Sequence, residues 1–75
     1  MPETLPEQVR LAVRAETLRQ GVSQRWIGEQ VGLSQAQISD RMQGLIEWRT
    51  GELDKLAAAL NVPVSAFLPS TEHAA

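Results

Sequence analysis

The chain has 75 residues, 43% of them apolar, a length that provides one small domain and excludes a multi-domain enzyme. Cysteine is absent and the single histidine, His73, stands near the end, so neither a disulfide nor a soft-ligand metal site can form, and helix packing and self-association are left to stabilise the fold. The formal charge of -2 argues weakly against a phosphate-rich partner, yet positions 8 to 50 carry six arginines (10, 14, 19, 25, 41 and 49) against four acids (16, 29, 40 and 47), a mildly basic middle.

Helix formers dominate, and Gly, Pro and Asn punctuate the chain into five segments. Thr4-Leu5-Pro6-Glu7 reads as a capped helix start, followed by a helix to about Gln20 with Leu5, Val9, Ala12, Val13 and Thr17 inward and Gly21 as its left-handed stop. Ser23 caps a second helix, Gln24 to Val31, with Ile27 and Val31 inward and Gly32 ending it. Ser34-Gln35-Ala36-Gln37 is a capping-box pattern that opens a third helix, in which Ile38 and Met42 face the core until Gly44. After a loop, Leu45 to Arg49, Thr50 is the expected cap of a fourth helix with the stripe Leu53, Leu56, Ala57 and Leu60, ended by Asn61. Pro63 starts a last short helical turn, Val64 to Leu68, closed by Pro69. The fold class is therefore all-α, a compact five-helix bundle over residues 1–69, with 70–75 as a flexible C-terminal tail. Leu56 to Leu60 is the longest apolar run, far below the ~18 residues of a membrane span, and Met1-Pro2-Glu3 lacks a basic leader, so no membrane role and a cytoplasmic location are expected.

The tight connection between the second and third helices carries the functional signal. With Gly32 turning the chain and Leu33 plugging the core, the two helices cross steeply and one face of the third stays exposed, an arrangement that fits the DNA major groove. Gly28, in the middle of the second helix, either admits a close neighbour or is simply a weak helix residue costing about 1 kcal/mol.

The motif Ser23-Gln24-x-x-Ile27-Gly28-x-x-Val31-Gly32-Leu33-Ser34-Gln35-x-x-Ile38-Ser39, then Gly44, then Leu53-x-x-Leu56-Ala57-x-x-Leu60-x-Val62 and Phe67-Leu68, resembles the Cro and phage-repressor (Xre, lambda-repressor-like) helix-turn-helix family over most of the chain. The resemblance implies a sequence-specific regulator of transcription, typically a repressor, whose partner is double-stranded DNA. It places Gln24 on a phosphate and Gln35 on a base edge. Chemistry agrees, since a glutamine amide pairs bidentately with adenine and helix N-termini attract phosphate. Base reading is thus assigned to Gln35, Ala36, Ser39, Asp40 and Arg41, and phosphate binding to Gln24, Arg25, Ser34, Gln37 and Arg49. Asp40 either accepts from cytosine or orients Arg41 or Arg25, and Gln37 is equally the partner of the Ser34 cap. Where relatives place a buried arginine and acid, this chain has Thr17 and Met42, a joint replacement by less polar packing.

The post-recognition loop is unusually apolar. Ile46 and Trp48, with Val64 and Phe67, are read as a self-complementary dimer patch, since such regulators pair across a two-fold axis on palindromic operators. The alternative for Trp48 is a folded-back core residue, and for Trp26 packing on a neighbouring helix competes with base stacking. Arg10, Arg14 and Lys55 read as ordinary solvated charges. The whole chain is expected to be a stand-alone homodimeric reader in a bacterial cell or phage-infected host, although the N-terminal domain of a larger repressor would read the same. No cofactor, small-molecule ligand or enzymatic step is expected, because no nucleophile with base, paired carboxylates or phosphate-cradling loop is present. A second class, a helical protein-interaction module that kept the fold without DNA, is favoured by the acidic balance and disfavoured by Gln24, Ser34, Gln35 and Arg41.

Overall fold

A computed structural model describes residues 4–69. The tail assigned to 70–75 lies outside them. Four α-helices, α1 (Leu5–Gln20), α2 (Gln24–Val31), α3 (Gln35–Gln43) and α4 (Thr50–Leu60), are followed by a single 3-10 turn over Val64–Phe67, and no strand occurs among the described residues. The fold is all-α, with one α-helix fewer than expected. Pro63 and Pro69 leave room for one turn only, and its bonds, Ala66 N–H to the Pro63 carbonyl and Leu68 N–H to the Ser65 carbonyl, span three residues rather than four.

The helix ends follow the local chemistry. Thr4 and Ser23 accept from the N–H groups of Glu7 and Trp26, and Gly21, Gly32 and Gly44 stop the first three helices in the left-handed conformation, as Asn61 stops α4. Thr50 is not the cap of α4. That helix begins one residue earlier than expected because the Glu52 carboxylate takes the Arg49 N–H at 3.0 Å, which puts Arg49 in the extended capping position.

One core joins all five elements. Val9 and Val13 of α1, Ile27 and Val31 of α2, Ile38 and Met42 of α3, Leu53, Leu56, Ala57 and Leu60 of α4, and Phe67 and Trp48 are buried together, with Trp26 and Leu33 packed against them. Leu5, expected inside, is exposed. Phe67 is completely buried and Trp48 nearly so, which removes both from the dimer patch assigned to them. In so small a domain the large aromatics are worth more as core than as surface, at about 1.5–3 kcal/mol for burying a Phe-sized side chain. Thr17 and Met42 are both buried, and the Thr17 hydroxyl donates to the Val13 carbonyl at 2.9 Å, so neither buried position carries a charge.

Candidate nucleic-acid interface

The turn between α2 and α3 is closed by backbone contacts that need Gly28. Its carbonyl accepts from Gly32 N–H (2.8 Å) and Leu33 N–H (2.9 Å), and a Cβ built on it would stand 2.5 Å from the Leu33 carbonyl oxygen. The side-chain-free position thus admits the turn itself, with Ile38 of α3 next nearest at 3.6 Å. Leu33 packs inward as expected, and α3 leaves this turn with its first turn exposed.

That first turn is built by reciprocal capping. Ser34 Oγ accepts from the Gln37 N–H at 3.1 Å, and Gln37 Oε1 accepts from the Ser34 N–H at 2.9 Å. Both capping residues therefore have their acceptors engaged, while the Gln37 amide nitrogen is still a donor. Gln35 and Ala36 between them are exposed, and no hydrogen bond engages the Gln35 side chain. One turn on, Ser39 and Asp40 are half-buried, with Ser39 Oγ accepting from Gln43 Nε2 at 2.8 Å. Asp40 makes no ion pair with Arg41 or Arg25: the first is bound to Glu52 and the second lies 3.7 Å from Glu29.

Arg41 corrects the base-reading set. Its side chain is 7% exposed and turned toward α4, where Nε and Nη2 donate to the two carboxylate oxygens of Glu52 at 2.9 and 3.0 Å, while Nη1 donates to the Gln37 carbonyl at 3.0 Å. Every guanidinium nitrogen is satisfied inside the protein. Position in the helix put this arginine on the outward face by sequence; the partner that draws it inward is 11 residues away and carries no local signal. Burial of Glu52 works to raise its pKa, and the hydrogen bonds from Arg41 and the Arg49 N–H, with the attraction of both cations, outweigh that and hold it below its ordinary value.

The other cations divide in two groups. Arg10 is no solvated charge: it lies over Gly44, donates to the Met42 carbonyl at 3.4 Å and to Glu7 at 2.7 Å, and so neutralises the C-terminal end of α3. The hydrogen bond and charge of Arg10 keep the exposed Glu7 carboxyl below its ordinary value, and Arg19 and Gln20 do the same for Glu16. Arg25 is widely exposed and only loosely held by Glu29. Among the described residues, Arg14, Arg49 and Lys55 have no carboxylate within 4.0 Å. Arg14, discounted by sequence, lines a groove of about 270 Å³ with Gln24, Ser39 and Gln43, above a floor of Thr17, Ile27 and Met42. Gln24, the first residue of α2, and Ser39 of α3 thus share a groove with a free guanidinium. The only available signal for Arg14 was its helical spacing of three residues from Thr17, which places both on one face of α1.

Of the four residues expected in a dimer patch, Ile46 and Val64 are exposed, and Leu45 and Leu68 join them as uncovered apolar side chains. No group of three His, Cys, Asp or Glu side chains that could hold a metal ion occurs among the described residues. No described helix is long and apolar enough to cross a membrane.

Comparison with protein-family models, with curated proteins and with solved structures returned no match for this chain.

Proposed function

We propose that this chain is a sequence-specific double-stranded DNA-binding regulator of transcription, a small repressor of lambda-repressor-like helix-turn-helix type that reads operator half-sites with α3 in the major groove. The observation that carries this reading is the exposed, doubly capped first turn of α3, which presents Gln35 and Ala36 to solvent, while one turn on Ser39 shares a groove with Gln24 and Arg14. Gln35 reads a base, with Ala36 against a thymine methyl and Ser39 and Asp40 one turn on. Gln24, Arg25, Ser34, Gln37 and Arg49 grip phosphates, and Arg14 joins them. Arg41 does not contact the duplex. In this reading the protein acts in the cytoplasm of a bacterial cell or phage-infected host, performs no enzymatic step and needs no cofactor. It pairs as a homodimer on a palindromic operator through the exposed Leu45, Ile46 and Val64 rather than through Trp48 and Phe67.

Selection from a randomised duplex pool at low salt tests the reading. A short enriched motif is the expected result, and Gln35→Ala should then cost about 1–3 kcal/mol on that motif while relaxing preference at one base pair. The same apolar exposure also suits a helical protein-interaction module, and a pool that returns no enriched sequence would move the assignment there.

A further inference from the structure

Among the described residues, Arg41–Glu52 is the one ion pair that joins two helices; the Arg10–Glu7, Arg19–Glu16 and Arg25–Glu29 pairs each lie within one. Its bonds form a continuous path. The Gln37 carbonyl in α3 holds Arg41, Arg41 holds both oxygens of Glu52 in α4, and Glu52 Oε1 also holds the Arg49 backbone N–H at 3.0 Å. The path starts in the turn that carries Gln35 and ends on Arg49, the last residue of the following loop, whose guanidinium has no carboxylate within 4.0 Å among the described residues. Stability alone does not account for it, because well-packed apolar side chains in place of a buried ion pair are often as stable or more so. What an ion pair with two-point geometry adds is a fixed distance and orientation.

We infer that Arg41 and Glu52 form a strut that sets the spacing between the base-reading turn of α3 and the phosphate-gripping Arg49, so that both meet one duplex in register. The inference rests on the DNA-binding reading and extends it to two positioning residues that touch no DNA. They act through Arg49, and that dependence is measurable.

The test is a double-mutant cycle. Wild type, Glu52→Gln, Arg49→Ala and the combined variant are titrated at neutral pH and low salt against a labelled duplex recovered from the random pool, with circular dichroism confirming that each is folded. Each single change should weaken binding severalfold. In the Arg49→Ala background, Glu52→Gln should have little further effect, since the side chain it positions is gone. Should Glu52→Gln fail to fold, the paired replacement Arg41→Met with Glu52→Met removes the strut without leaving a buried charge, and the same coupling to Arg49→Ala is expected. Losses that simply add, or folded strut variants that bind as wild type does, overturn the inference and leave the DNA-binding reading standing. A wild-type protein that enriches no sequence removes both.

Discussion

Replacing Gly28 by alanine separates two opposing effects that the structure lets one weigh. Alanine is the better helix former by about 1 kcal/mol, so on propensity alone the change stabilises α2. Its Cβ, however, would lie 2.5 Å from the Leu33 carbonyl oxygen, where real Cβ contacts essentially never fall below 3.0 Å, and the obstacle is backbone rather than a side chain that could swing away. Restoring a tolerable contact means moving the α2–α3 turn by at least about 0.5 Å, a shift that loosens the Gly32 and Leu33 bonds to the Gly28 carbonyl and is of the class that costs about 1–3 kcal/mol. The clash outweighs the propensity gain over most of that range, and a net loss of up to about 2 kcal/mol lowers the melting temperature by up to about 16 °C in a domain of this size. Gly51 is the internal control. It is also helical, with nothing within 4 Å of a built Cβ, so Gly51→Ala should stabilise by up to about 1 kcal/mol, less for its place in the first turn. Thermal and urea unfolding followed by circular dichroism would show the two variants shifting in opposite directions. A Gly28→Ala protein as stable as Gly51→Ala would refute the account of the turn.

Glu52 makes stability depend on pH in a defined direction. A carboxylate whose folded pKa lies below its ordinary 4.5 contributes fully above that value and loses its contribution as pH falls through the lowered one, so Glu52→Gln should flatten the acid limb of a stability curve below about pH 4.5; a limb of unchanged steepness would show that Glu52 contributes nothing to it. Arg49→Ala should weaken binding alike on matched and scrambled duplexes and reduce the salt slope by about 0.9. A loss confined to the matched duplex would reassign Arg49 from phosphate to base.

Features governed by neighbours in sequence were legible in advance. The bounds of α1 and α2, the Ser34–Gln37 capping box, the left-handed glycines and the stripe on α4 all depend on residues three or four apart. Errors came where a distant partner decides. Arg41 was assigned outward because its helical position allows it, and Glu52, on another element, pulls it in. The apolar loop and last turn suit a dimer patch or a return to the core equally well on local pattern, and contacts with distant helices take Trp48 and Phe67 into the core. Nothing local to Arg10 shows that the end of α3 passes beneath it, so its own sequence context reads as a solvated charge. The exposed face of α3 itself, with Gln35 and Ala36 outward, followed from the inward spacing of Ile38 and Met42.

If α3 docks on a duplex as proposed, the reciprocal bonds of Ser34 and Gln37 divide the cost of recognition unevenly between main chain and side chain. The backbone of that turn is already ordered before any partner arrives, so docking freezes none of it. Gln35, by contrast, projects from this fixed platform with its rotamers unrestrained by any hydrogen bond, and settling it on one base edge forfeits about 0.5–1.5 kcal/mol of side-chain entropy. Under that proposal, tolerance of sequence variation would be concentrated in a single swivelling amide, and a bulkier neighbour at Ala36 that narrowed its arc would make the protein a more exacting reader without adding a contact.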